Sequence, residues 1–121
     1  MSKSTRSTAA TRADRPIGGA DITKMRRSPT HPGEMFLEEV IKPRGYGAQS
    51  DIARRMGITI NRLAEICAQK RPVTPESAIL MGKVSGTSPE LWLRLQADYD
   101  LWHALQETDT SKVQPLEPLE A

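Results

Sequence analysis

The stretch "SDIARRMGITINRLAEICAQKRPVTPESA", residues 50–78, decides the fold. It holds two short segments of apolar period, joined by Met56-Gly57-Ile58-Thr59 and closed by Lys70-Arg71-Pro72. The first, from about Gln49 to Met56, puts Ile52, Ala53 and Met56 on one helical face. Gly57 stops it, since glycine enters positive φ without strain. Thr59 is the expected N-cap of the second segment, which runs to about Ala68 and buries Leu63, Ile66 and Cys67. Two helices across so short a connection predict a helix-turn-helix. Ala53 is small where the helices cross, Ile58 plugs the turn, and Leu63 anchors the second helix from inside.

That arrangement leaves Ile60, Asn61, Arg62 and Glu65 for the outer face. An α-helix fits the DNA major groove, where its N-terminal half meets base edges. Asn61 can pair with adenine N6 and N7, Glu65 can accept from cytosine N4, and Ile60 can pack on a thymine methyl. Gln49 and Ser50 start the preceding helix, where free backbone N–H groups favour a phosphate. Arg54, Arg55, Thr59, Arg62, Lys70 and Arg71 are the further phosphate candidates.

Outward from this stretch, three more helices are expected. One spans about Gly33 to Lys42, with Phe36, Leu37, Val40 and Ile41 on a face, and Pro43 ends it before the loop "PRGYG". "TPES" at 74–77 and "SPEL" at 88–91 open the other two with a hydroxyl N-cap, proline at the first helical position and glutamate in the first turn. These run to near Val84 and to about Leu105. In the last, Leu91, Leu95, Trp102 and Leu105 follow helical spacing, with Trp92 and Tyr99 beside them. Trp92, Leu95, Tyr99 and Trp102 are the candidate dimer contacts, because aromatics anchor interfaces. No strand pattern is visible.

The expected domain therefore covers residues 29–105 of 121, flanked by tails without apolar period. Residues 1–30 carry seven Lys/Arg against two Asp, +5. Residues 31–105 carry nine of each sign, and residues 106–121 one Lys against four acids, −3. A neutral domain thus lies between a basic extension, residues 1–28, and an acidic tail, residues 106–121, both read as disordered. Bulk charge says little about nucleic acid here, so local clustering must carry that case.

The single cysteine permits no internal disulfide and no zinc pattern, which suits a reducing cytoplasm. No apolar run approaches the roughly 20 residues that cross a bilayer, so no membrane partner is expected. His31, before Pro32 and Gly33, is expected at a helix start rather than on a metal, and Asp98 and His103 share no helix face well. No nucleophile–base pair, phosphate-cradling glycine loop or carboxylate pair is present, which speaks against an enzyme, and no cofactor or metal is expected.

The blocks "PTHPGEMFLEEV", "ARRMGITINRLAEI", "KRPVTPESA" and "GTSPELWLRLQADYDLW", in this order, resemble the HigA antitoxins, a branch of the lambda-repressor-like (Xre) helix-turn-helix proteins. The resemblance implies an all-α, five-helix domain whose reading helix is Thr59 to Ala68 and whose phosphate-facing residue is Gln49. It also implies a homodimer that represses its own operon on a palindromic operator. The implied partner is a HigB-like toxin, a small ribonuclease of RelE-like fold that cuts mRNA. Two departures stand out. Ala68 and Gln69 replace the Asn-Gly that the family commonly places before Lys-Arg, so a different loop is expected there. Ile60 and Glu65 are unusual on a surface facing DNA, where a carboxylate near phosphates costs affinity. The rival expectations are a repressor without a toxin, and a protein-binding inhibitor that has lost DNA binding.

Overall fold

The computed structural model describes residues 21–119, and among them all regular structure is helical. Helix α1 begins at Pro32–Phe36, widens into a π turn at Leu37–Ile41 and tightens into a 3-10 turn at Lys42–Arg44. The remaining helices are α2 (Ala48–Met56), α3 (Ile60–Cys67), α4 (Pro75–Ser85) and α5 (Pro89–Glu107). This is the five-helix, all-α arrangement expected from the sequence.

Each boundary has a local cause. His31 caps α1, its Nδ1 accepting from the Gly33 amide at 2.9 Å, and Pro32 takes the first helical position. The π turn has its cause in Pro43, whose ring would clash with the carbonyl four residues back in a regular helix. Gly57 ends α2 at φ 76°. Thr59, Thr74 and Ser88 cap α3, α4 and α5, each accepting an amide from its own first turn. In α4 the reciprocal half of the capping box is Ser77, not Glu76: its hydroxyl accepts from the Thr74 amide at 2.8 Å.

The core gathers Phe36, Ile52, Leu63, Ile66, Met81 and Trp92, with Val40, Ile41, Ala53, Met56 and Ala78 around them. Phe36 and Trp92 meet edge to face, with centroids 5.4 Å apart. Cys67 is buried, and burial pushes its thiol up to about 11, so it is a small apolar filler rather than a reactive group. Burial also pushes His31 below its ordinary value. A histidine that stays neutral in the fold but takes a proton when unfolded draws the equilibrium towards unfolding in acid. Stability should fall as pH drops from about 6.5 through the folded-state value. Urea titrations between pH 7.5 and 5 should show this loss, and His31→Asn, which keeps a cap, should flatten that part of the profile.

The N-terminal boundary differs from expectation. Residues 1–20 of the basic extension lie outside the described residues. Residues 21–28, expected within the same tail, are laid across α5. A 3-10 turn at Ile22–Lys24 buries Ile22. The Trp102 indole donates to the Met25 carbonyl at 2.9 Å, and the Ser28 hydroxyl and His103 Nε2 lie 3.1 Å apart. One apolar side chain, one carbonyl and one hydroxyl hold this strap, so it leaves no periodic trace in the sequence. Residues 108–119 run on from α5 without a helix or strand, exposed throughout.

Candidate nucleic-acid interface

Helices α2 and α3 pack through Ile52, Ala53, Met56, Leu63 and Ile66, and the half-buried Ile58 closes the turn between them. The opposite face of α3 is open. Ile60 is 48% exposed, and Asn61 and Glu65, one turn apart, are exposed as well. Asn61, Ala64, Glu65, Ala68 and Lys70 line one shallow open depression. Two of the three expected base readers, Asn61 and Glu65, thus share a surface, and Ile60 is exposed outside that depression.

The cationic candidates are less free than the sequence suggests. Arg54 and Arg55 both bind Asp51, Arg55 at 2.8 Å, and hold its carboxyl below the usual carboxylate range. Arg62 is only 31% exposed and faces Glu76 at 3.6 Å. Arg71 bends back onto Glu65, with Nε and Nη2 both on Oε1 at 3.1 and 2.7 Å. Lys70 has no carboxylate partner among the described residues. Exposed pairs of this kind contribute less than about 1 kcal/mol, so a phosphate can compete for each arginine. Asp51 could have been read from its spacing to Arg54 and Arg55; Glu76 could not, because it comes from another helix.

Gln49 and Ser50 stand at the start of α2, half-buried and exposed respectively. The N-cap is Gly47, so no side chain caps that terminus, and the Ala48 amide donates to the Gly45 carbonyl at 3.2 Å. Tyr46, fully exposed in the adjoining loop, adds a hydroxyl donor that sequence reasoning passed over. Thr59 is committed to its cap, accepting from the Arg62 amide at 3.0 Å, although its hydroxyl hydrogen remains available to an anion.

The loop after α3 corrects an expectation. Gln69 takes φ 65°, the geometry expected of glycine or asparagine, and is the single non-glycine residue at positive φ among the described residues. Its amide bonds to Ile66 O at 3.0 Å and the Lys70 amide to Glu65 O at 2.9 Å, which closes α3 as a Schellman motif. A weak side-chain bond to Glu34 at 3.3 Å partly offsets the strain. Left-handed backbone costs a residue with a Cβ about 1–2 kcal/mol. Gln69→Gly should therefore raise the melting temperature by several degrees, on the order expected for about 1 kcal/mol. A fall would show that the Glu34 contact outweighs the strain.

The four dimer candidates separate. Trp92 is 2% exposed within the monomer, and its indole donates to Thr87 Oγ1 at 2.8 Å, so it is a core residue and offers no surface. Leu95, Tyr99 and Trp102 are half-buried, with Tyr99 tilted against His103, Trp102 meeting it edge to face, and Trp102 tied to the strap. The large exposed apolar side chains of α5 are Leu101 and Leu105, at 47% and 46%. Leu105, which follows the helical spacing of Leu91, Leu95 and Trp102, is left exposed near the end of α5.

Among the described residues no three metal-ligating side chains come together, and no helix is long and apolar enough to cross a membrane.

An all-α domain with an open third helix beyond a glycine turn defines a helix-turn-helix protein of the lambda-repressor-like class. No family model matches the chain. It is 32% identical over 81 residues to antitoxin HigA-1 of Vibrio cholerae, covering 67% of this chain and 75% of that protein. An addiction-module antidote protein of the HigA family from Coxiella burnetii superposes at TM-score 0.65 and 31% identity, over 74% of this chain and 100% of that one. Antitoxin GraA in complex with its operator gives TM-score 0.65 and 30% identity, over 81% and 98%. The chain belongs to the HigA family of antitoxins.

Proposed function

We propose that this protein is a dimeric antitoxin that represses its own operon and neutralises a HigB-like, RelE-fold ribonuclease in the cytoplasm. The observation that carries the DNA half is the open face of α3, with Asn61 and Glu65 lining one depression and Ile60 exposed at the start of the helix. Gln49, Ser50, Arg54, Arg55, Thr59, Arg62 and Lys70 surround it as phosphate donors, in a family in which GraA is solved on its operator. In a dimer, two copies of α3 would enter successive major grooves about 34–36 Å apart on a palindromic site. Repression then follows from occlusion of the promoter. The dimer contact would use the outer side of α5, with Leu95, Tyr99 and Trp102 joined by Leu101 and Leu105. Toxin neutralisation rests on family membership.

A second reading has one observation in its favour. Arg54, Arg55, Arg62 and Arg71 all have internal carboxylate partners, as in a helix-turn-helix kept for protein contacts alone. A mobility-shift assay on the protein's own promoter, at low and high salt, separates the two. A DNA binder gives a sequence-specific shift that weakens steeply as salt rises, through counterion release. Asn61→Ala should then cost about 1–3 kcal/mol and relax preference at one adenine. Binding no better than to random DNA would leave the toxin as the partner to pursue.

A further inference from the structure

Arg71 lies beyond the end of α3, where sequence assigns it to a phosphate. In the structure it is paired with a carboxylate of α3. The Schellman turn at Gln69 reverses the chain, and the Lys70 amide is bonded to the Glu65 carbonyl at 2.9 Å. Two residues on, buried Gln96 of α5 accepts from the Val73 amide at 2.7 Å, while its Nε2 donates to Asp100 at 2.9 Å. The segment from Lys70 to Val73 is thus tied at both ends, to α3 and to α5. Between these ties the Arg71 guanidinium folds onto Glu65, with Nε and Nη2 on a single carboxylate oxygen.

The geometry points to Arg71 as a base-reading residue, aimed from behind by Glu65, that extends the row begun by Asn61 to a guanine of the operator. This rests on the operator-binding reading above. Glu65 occupies the Nε–Nη2 side of the half-exposed guanidinium and leaves the Nη1–Nη2 edge without a hydrogen bond to Glu65. That edge carries the two parallel N–H donors that match guanine O6 and N7. A guanidinium at 48% exposure and free to swing would lose side-chain freedom on docking; a carboxylate behind it removes part of that cost in advance. The carboxylate on a DNA-facing surface is then explained. It spends its charge on Arg71 rather than repelling the backbone, and it is a positioning residue instead of a reader of cytosine.

The test is the full-length protein against its promoter and every single-base variant of the operator, read as relative affinities. Arg71→Ala should lose the preference for one G·C pair by about ten-fold or more, the order of a bidentate arginine–guanine contact. Glu65→Ala should relax the same base pair while affinity for random DNA holds or rises. The double variant should relax it no further. Glu65→Gln, which keeps the volume, guards against a packing effect, and both sites are exposed enough for the fold to survive. The inference is overturned if Arg71→Ala weakens all sequences alike and lowers the salt slope by about one, the mark of a phosphate contact. It is also overturned if Glu65→Ala relaxes a different base pair. A wild-type protein without any sequence preference would overturn the operator-binding reading together with it.

Discussion

Gly33→Ala is expected to destabilise the protein by about 3 kcal/mol or more and to weaken the proposed operator binding, although the position is helical and alanine is the better helix former. A Cβ built on Gly33 would lie 1.8 Å from the Ile66 carbonyl oxygen and 2.7 Å from its carbon. Both are backbone atoms of α3, so no side chain can swing aside. Relief requires α1 and α3 to part by more than an ångström in the middle of a close-packed core. Overpacking costs about 1–3 kcal/mol when side chains can adjust, and more when backbone must move. The helix-propensity gain of alanine over glycine, about 1 kcal/mol, is the smaller term. Thermal unfolding followed by circular dichroism should show a fall of more than about 10 °C for a domain of this size. The fraction still folded should bind operator poorly, since Ile66 lies in the helix that carries Asn61 and Glu65. A melting temperature within about 2 °C of wild type would show that the two helices separate easily and that their contact does not set the angle of α3.

Trp92→Ala should cost about 3–5 kcal/mol, the range for deleting a fully buried aromatic. Trp92 fills the junction of α1 and α5, meets Phe36 edge to face and donates to Thr87, and the deletion leaves a cavity where the indole stood. The loss should be the same at low and high protein concentration, because the contacts lie within one monomer. Urea denaturation at two concentrations more than ten-fold apart checks this, with sedimentation to report the assembly state. A stable monomer appearing at low concentration would return Trp92 to the interface, where its sequence neighbours placed it. Against a total stability of order 5–15 kcal/mol, this variant and Gly33→Ala both threaten folding outright.

Legibility in the sequence followed the range of the interactions. The caps at Thr59, Thr74 and Ser88 and the stop at Gly57 are decided within four residues, and all four stand where the sequence places them. So do the buried faces of α2 and α3, since a 3.6-residue period names the face once the helix is given. Asn61 and Glu65 were legible as a shared outer row for the same reason. The loop after α3 was misjudged because propensity is a weak local term: a Schellman closure with two backbone hydrogen bonds holds Gln69 at positive φ despite its Cβ. The ion pairs divide likewise. Asp51 with Arg54 and Arg55 is written at i+3 and i+4, whereas Arg62 with Glu76 and Arg71 with Glu65 depend on how separate segments meet.

By itself, then, the sequence determined that this protein is five helices, three of them opened by a hydroxyl cap, with a glycine-turned pair at the centre, and that its four motif blocks resemble the HigA antitoxins. Those conclusions need only neighbours along the chain. Tertiary structure alone decided that Trp92 faces inward, that residues 21–28 cross α5, that Leu101 and Leu105 are left outside, and that Arg71 returns to Glu65. An amphipathic helix as rich in large side chains as α5 offers apolar groups on several faces. Which of them is buried depends on the surfaces that α1, α4 and the strap present to it, and those surfaces exist only once the chain has packed.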